Sequence, residues 1–402
     1  MGLATAVGFD STVDVWVTFP GLDDLEKFAN EYSGRLAEQV RTGYKKVAAG
    51  EGDEISIDGQ LREAQNLVKS AKKQGADVRY KLGGNAGQEA ASFGALGSGV
   101  AFVGVISPSL STWLSPKDQK FLKKIDLSHA FTTRYRPFSF ILQARGTNRY
   151  ILCEGRGRRI EQLRPYLREL PNALERVLDK YGRLDTVNLV GWHVLFANGI
   201  SDRDFHLVKG MIGKIRDVVD SPLFTDAGGL AVFGKREKRL LYRLYSIFDV
   251  LSVNEDEVLQ VSQAIGSETG DEIQAMRNIL ESSENLSTIW LHSSNYQASL
   301  STKYRQELLD EAQVAAATAG VCRVEKGTYP TIGELAKRRR IKNYSKKGLE
   351  AVEHATKKYG GKIGDAALVV TPCYKPRSFT STVGAGDVTA AVYTYVIAGG
   401  KT

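Results

Sequence analysis

Near the carboxyl end of the chain, Thr382-Val383-Gly384-Ala385-Gly386-Asp387 leads into the helix-compatible run Val388-Thr389-Ala390-Ala391-Val392-Tyr393. Glycines let a backbone come close to an anion, and the following helix offers it free N–H groups and a positive dipole end. The segment therefore predicts an anion hole with a carboxylate at its rim. A carboxylate in that place accepts the proton of an attacking hydroxyl while the hole holds charge developing on a transferred phosphoryl group, a role that Asp387 fits. Asp387 equally fits a plain helix cap, and spacing alone does not separate the two readings. A dinucleotide fingerprint is a poorer fit, because it needs an early strand, a third glycine and an acid about 20 residues further on.

The elements that must position such a site are readable from periodicity. Ala4 to Phe9 is a short apolar run that ends in Asp10, Ser11 and Thr12, as a buried strand reaching the carboxyl edge of a sheet would. Leu25, Phe28, Tyr32, Leu36, Val40, Tyr44 and Val47 are spaced as one long amphipathic helix, and Leu61, Ala64, Val68 and Ala71 as a second with no strand between them, which suggests a separate lobe. Lys81 to Ala86 then opens an alanine- and glycine-rich helix ending near Leu96-Gly97, followed by a strand at Val100–Ile106. Phe138 to Leu152 reads as a hairpin around a glycine turn. Val187–Val190, Leu223–Thr225, Val250–Val253, Thr288–Leu291 and Leu368–Val370 are strand candidates separated mostly by helices, the pattern of a parallel, doubly wound sheet. The stretch from about Ser299 to Asp365 carries no clear pattern.

Composition bounds the answer. The chain has 402 residues, 42% hydrophobic and 25% charged, enough for one large α/β domain with a smaller attachment. No run reaches the roughly 18 apolar residues of a membrane span, and the opening MGLATAVGFD lacks a signal-peptide pattern, so a cytoplasmic protein is expected. Cys153, Cys322 and Cys373 are far apart and odd in number, which argues against a disulfide framework and against a cysteine metal site. The net charge of +8 allows an anionic partner, nucleic acid or a phosphorylated small molecule. No nucleic-acid recognition motif accompanies it. Basic residues cluster at Arg145, Arg149, Arg156, Arg158 and Arg159, and again from Lys337 to Arg340, where a solvated helix face is the expected reading.

Taken together and in this order, these segments resemble the ribokinase superfamily, and within it the ADP-dependent glucokinase and phosphofructokinase group. TVGAGD is similar to the catalytic signature, Asn254 to Glu257 to an N-x-x-E motif after a strand, Gly83-Gly84-Asn85-Ala86-Gly87 to a sugar-binding G-G-x-A-G, and Asn148-Arg149-Tyr150-Ile151 to an N-R-F-I segment. The resemblance implies a ribokinase-like α/β three-layer sandwich with a mostly parallel sheet, formed by residues 1–12, 83–130 and 160–402, and a discontinuous α/β lid formed by 13–82 and 131–159. It implies Asp387 as general base with the backbone of Gly384, Ala385 and Gly386 as the phosphoryl hole. Asp14, Gly84, Asn85 and Gly87 would hold the sugar, and Arg149, Asn254, His292 and Val383 the nucleotide. Glu257 and Asp226 would organise Mg²⁺. For His292 the ordinary reading of a structural histidine stands beside this one, and Arg156, Arg158 and Arg159 would add contacts to a phosphorylated acceptor. Three positions depart from the pattern: Asp226 stands where the group carries Glu, Asp10 where Asn is expected and Asn85 where Gln is usual. The donor implied is ADP, acting on a sugar or sugar phosphate in a monomer or homodimer, with an ATP-dependent sugar or nucleoside kinase as runner-up. A sugar or nucleotide sensor on the same fold is the non-enzymatic alternative.

Overall fold

Ala4 to Phe9 is buried at every position, as expected of a central strand covered on both faces. This strand, β1, sits inside a ten-stranded sheet of the computed structural model, which describes residues 2–402 except 10, 58, 107–113, 115–118, 120–121, 133–137, 155–159, 197–198 and 381. Asp10, Arg156, Arg158 and Arg159 therefore lie outside the described residues. With elements numbered in chain order, the sheet runs β16 (Lys362–Ile363), β17 (Ala366–Pro372), β15 (Tyr296–Ser301), β14 (Thr288–His292), β13 (Val250–Val253), β12 (Leu223–Asp226), β11 (Thr186–Val190), β1 (Ala4–Phe9), β5 (Gly99–Phe102), β7 (Ile125–Asp126). Strands β14 through β7 are parallel, and β15, β17 and β16 close one edge antiparallel.

Alternate residues of these strands feed two cores. Ala6, Val187, Leu189, Leu251, Val253 and Leu291 pack against α5 (Ile160–Tyr181), α6 (Asp202–Val218), α7 (Lys235–Tyr245), α8 (Glu255–Ala264) and α9 (Glu272–Glu281). Val7, Phe102, Val190, Phe224 and Trp290 face α4 (Asn85–Ala95), α10 (Gln306–Lys326) and α13 (Ala385–Ile397). The result is the expected three-layer sandwich. Both α10 and α4 pack on α13, whose residues from Val388 to Ile397 are all buried, so the helix that follows the TVGAGD segment is the central rod of its layer.

A second, five-stranded sheet has the order β3 (Asp53–Ser56), β10 (Arg149–Glu154), β9 (Phe138–Ala144), β2 (Thr12–Phe19), β4 (Asp77–Gly83). A short pair, β6 (Val105–Ile106) with β8 (Phe131–Thr132), stands apart from both sheets. In β2 the period of two sends Val13, Val15, Val17 and Phe19 into a core with α1 (Leu22–Glu31), α2 (Ala37–Ala48) and α3 (Leu61–Lys73). Phe19 meets Phe28 at 5.0 Å and Phe28 meets Tyr32 at 5.4 Å between ring centroids. Burial of that kind contributes about 1.5–3 kcal/mol per large apolar side chain. The alternate residues Asp14, Trp16 and Thr18 consequently share the opposite face.

Several expectations need correction here. The single long helix from Leu25 to Val47 is two helices, broken at Tyr32, where the backbone turns extended and the chain passes Ser33-Gly34. Strand β3 intervenes between the second of them and α3, paired parallel to β10. Lys81 to Gly83 end a strand rather than opening a helix, which starts at Asn85. The region that carried no clear pattern holds α10, α11 (Ile332–Arg339), α12 (Lys346–Tyr359) and β16. In the Lys337–Arg340 run, Arg338 is not solvated: it is 4% exposed and paired with Glu325 at 3.3 Å. The hairpin from Phe138 to Leu152 is present as β9 and β10. None of the three cysteines is part of a disulfide, and all are buried. Among the described residues, no helix is long and apolar enough to cross a membrane.

Candidate active site

The N-cap of α13 is Gly384, in the left-handed region at φ 68°, and it makes no side-chain cap bond. A Cβ at this position would also lie 2.8 Å from Gln88 Oε1, so both the backbone angle and the space require glycine. The cap position thus belongs to Gly384, and Asp387 stands in the first turn, where the helix dipole favours an anion.

Beneath this loop lies Arg323 of α10, only 2% exposed. Its Nε donates to the Val383 carbonyl, one terminal nitrogen to the Gly327 carbonyl and the other to Gln88 Oε1, each at 3.1 Å. The Tyr329 hydroxyl donates to the same Gln88 oxygen at 2.7 Å, and Gln88 Nε2 donates to the Leu82 carbonyl at 2.9 Å. A buried cation therefore fixes the anion-hole loop from below and ties it to α4. Sequence reasoning passed over Arg323 and Gln88. The signal for Arg323 was present: Ala312, Ala316, Ala319 and Arg323 share one buried face of α10.

The carboxyl edge of the large sheet brings the other predicted groups close. Asp226 ends β12 and accepts from the Gly228 amide at 2.9 Å. Its other oxygen is 3.7 Å from His292 Nε2 at the end of β14, a contact too long for a hydrogen bond. Burial pushes the Asp226 carboxyl up, but His292 and the bonds it accepts outweigh this and leave it below the usual carboxylate range. His292 also neighbours the anion hole, since a Cβ at Gly386 would lie 3.5 Å from its Cε1. Its ring rests on Trp290 at 4.9 Å, and Trp290 stacks on Tyr393 of α13 at 4.3 Å, so the aromatic column sets its position.

Asn254 and Glu257 form a capping box at the start of α8. The Asn254 side chain accepts from the Glu257 amide at 2.8 Å, and Glu257 Oε2 accepts from the Asn254 amide at 2.9 Å. Glu257 is 7% exposed and so is no surface carboxylate. Burial, followed by the nearby Asp226 charge, holds its carboxyl well above the usual range.

On the opposite wall, Asp14 of β2 is 5% exposed and accepts from Thr12 Oγ1 at 2.8 Å. A Cβ at Gly83 would overlap its carboxylate, so the first glycine of GGNAG exists to let Asp14 in. Gly84, at φ 73°, is the N-cap of α4, and Asn85 begins that helix, half-buried. Gly87 faces Leu82 and Ser11, where a Cβ would sit 3.1 Å and 3.4 Å from their side chains. Burial raises the Asp14 carboxyl to about 6, with Thr12, Arg323 and Lys81 pulling it back.

Arg149 of β10 reaches from the small sheet to the loop ahead of α13: it donates to Thr382 Oγ1 at 2.7 Å, directly ahead of the anion hole. Its Nε is buried and meets no acceptor among the described residues. Burial lowers its pKa, against the pull of Glu54, Asp387 and Asp14. The side chain of Val383 packs on Trp16, Ile141 and Ile151 of the small sheet. Asp387 is pushed up to about 7 by burial, then by Asp226 and Asp14, with Arg323 and His292 opposing. Behind it, Glu89 is fully buried, with one oxygen accepting from Asn188 at 2.7 Å, and burial keeps it well above its usual range. No cluster of three or more side chains able to hold a metal directly occurs among the described residues.

This architecture is shared with known kinases. Trypanosoma brucei brucei adenosine kinase superposes with a TM-score of 0.50 at 13% identity, over 75% of this chain and 82% of that one, placing the fold in the ribokinase-like class. A hypothetical ADP-dependent phosphofructokinase from Pyrococcus horikoshii OT3 superposes over 99% of this chain and 98% of that one, with a TM-score of 0.71 and 13% identity. An ADP-dependent kinase in complex with fructose-6-phosphate and ADPβS gives 0.69 at 14% identity, over 99% and 94%. A search among curated proteins returned no match. The profile of the ADP-specific phosphofructokinase/glucokinase conserved region matches residues 6–395, and the chain belongs to that family. It is accordingly a sugar kinase, a phosphotransferase with an alcohol group as acceptor.

Proposed function

We propose that the protein transfers the β-phosphoryl group of ADP to a hydroxyl of a sugar phosphate, with Asp387 as general base. The observation that carries this reading is the convergence at one loop of Asp387, the backbone of Gly384, Ala385 and Gly386, and the two arginines Arg323 and Arg149. Asp387 takes the proton of the acceptor hydroxyl, and the amides of the hole receive the charge of the phosphoryl group in flight. Arg149 neutralises donor phosphate, with Asn254, His292 and Val383 bordering the nucleotide. Asp14 and Asn85 supply the acceptor and donor groups a polyol demands, above the tight backbone of Gly84 and Gly87. A sugar phosphate is favoured as acceptor because the related kinase binds fructose-6-phosphate together with an ADP analogue.

The carboxylates at the sheet edge suit Mg²⁺. Burial first, and the Asp226 charge in addition, hold Glu257, Glu89 and Asp387 above their usual range, and a divalent cation beside them would favour their ionised forms. Asp226 and Glu257 would hold it partly through water, as Mg²⁺ tolerates, and bound there it would neutralise charge on the donor phosphates. The small sheet with α1–α3 acts as the lid, residues 13–82 and 131–159, whose closure over the edge excludes water.

In a mass-detected assay with Mg²⁺, ADP or ATP and a panel of sugars, sugar phosphates and nucleosides, AMP should form from ADP only when a sugar phosphate is present. Turnover with ATP alone would reassign the donor, and ligand binding without transfer would make the protein a sensor. The pH profile supplies a second check. Because the base acts ionised and its carboxyl is raised to about 7, kcat/KM should fall about tenfold per pH unit below neutrality and level off above it. A flat profile between pH 5 and 8 would remove Asp387 from the role. The charges facing it, Asp14, Asp226, Arg323 and His292, come from four different elements and set the position of that limb.

A further inference from the structure

A pocket of about 230 Å³ lies between the cleft-facing side of β2 and β4 and residues Phe379 and Thr380, just ahead of the anion-hole loop. Neither Asp14, Asn85, Arg149 nor Asp387 lines it, and the packing of Val383 on Trp16, Ile141 and Ile151 walls it from the loop. Arg79, Lys81 and Arg145 contribute to its walls, tempered by Asp77, which pairs with Arg79 at 2.7 Å. The Lys81 ammonium sits 3.6 Å over the ring of Trp16. Trp16 is 4% exposed, and its indole N–H is buried with no acceptor among the described residues.

Three cations around one carboxylate, next to a buried donor lacking an acceptor, call for anionic oxygens. We propose that this pocket is a second anion site, which binds the phosphate or pyrophosphate group of a small molecule separately from donor and acceptor. An anion held there touches both the small sheet and the segment leading into the anion hole. It therefore ties the two walls together and stabilises the arrangement in which they meet. Arginine forks match the geometry of phosphate, and Phe379, which lines the pocket and is 41% exposed, offers an apolar surface for the remainder of the molecule.

Residue-resolved protection tests this without turnover. The full chain is treated with phenylglyoxal over a range of inorganic pyrophosphate concentrations, and arginine modification is read by peptide mass mapping. Pyrophosphate should protect Arg79 and Arg145 in a saturable way. The variant Arg145→Ser, at an exposed turn position, should weaken protection of Arg79 by about tenfold, the loss of one charged contact. Arg149→Ser, on the donor side, should leave it unchanged. Modification of Arg79 and Arg145 at the same rate with and without pyrophosphate would overturn the proposal, as would a protection curve in Arg145→Ser that coincides with wild type. Neither result depends on the kinase reading, which the transfer assay decides separately.

Discussion

Replacing Asp387 by Asn is expected to lower kcat by about 10²–10⁴-fold while leaving the dissociation constants of nucleotide and sugar close to wild type. The amide keeps the shape of the side chain and removes the proton acceptor. Folding stability should move the other way. A carboxyl raised to about 7 binds its proton more tightly in the folded than in the unfolded chain, so as pH rises past its unfolded value the ionised form increasingly costs stability. Asp387→Asn should therefore melt several degrees above wild type at pH 8, with the gain shrinking toward pH 5, where wild-type Asp387 is itself protonated. Calorimetry at the two pH values, beside single-turnover kinetics, tests both halves. A variant that turns over normally would end the general-base assignment, and one less stable at pH 8 would show that the carboxylate is held by interactions stronger than its burial.

The second large effect concerns a residue with no place in the familiar motifs. Arg323→Leu should destabilise the protein by at least about 3 kcal/mol, because three buried acceptors, the carbonyls of Val383 and Gly327 and Oε1 of Gln88, lose their donor. The same change removes a cation that lowers both Asp14 and Asp387, so the acid limb of the pH profile should shift to higher pH. Arg323→Lys separates the two contributions. It keeps the charge and with it the position of the limb, yet a single ammonium cannot span three acceptors in a fork geometry, so most of the stability loss should remain. Urea midpoints and kcat/KM profiles of the two variants decide the matter. An Arg323→Leu protein as stable as wild type, with an unmoved limb, would reduce this arginine to filler.

How far the sequence foretold these features depends on which physical signal carried them. Val250–Val253 and Ala4–Phe9 are legible to the residue, since a strand covered on both faces is predominantly apolar and each run gives way to polar residues at its carboxyl end. Strand β2 was missed although Val13, Val15, Val17 and Phe19 alternate with Asp14, Trp16 and Thr18; the neighbouring strand signal and the polar Asp10 to Thr12 drew attention to an edge instead. β15 follows β14 after a tight turn at Ser293 and Asn295, where the Ser293 hydroxyl accepts from two amides, a turn chemistry with little composition to announce it. In the site, TVGAGD was readable because glycine, helix start and carboxylate are all local. The clustering of Asp226, Glu257 and His292 beside it was not derivable from spacing and came through family resemblance. Arg323 and Gln88 act from helix interiors across long stretches of chain, where periodicity marks burial but not the partner. The position of His292 against Gly386, between the hole and Asp226, is likewise a product of the sheet order rather than of its neighbours in sequence.

The placement of β1 has a consequence for how the molecule is made. It is made well before one of its two neighbours, since its ladder with β11 pairs Thr5 with Thr186 and Phe9 with Val190. At about 5–20 residues per second, a ribosome takes on the order of ten seconds or longer to deliver that neighbour. Throughout this interval one edge of a strand that ends up wholly buried has no native ladder on that side. β5 arrives sooner, pairing Ala4 with Gly99, so the first half of the nascent chain has a two-stranded ribbon to form before its other side is covered. Chaperones that shield exposed strand edges should therefore engage the nascent chain once β1 has emerged and release it once β11 has followed.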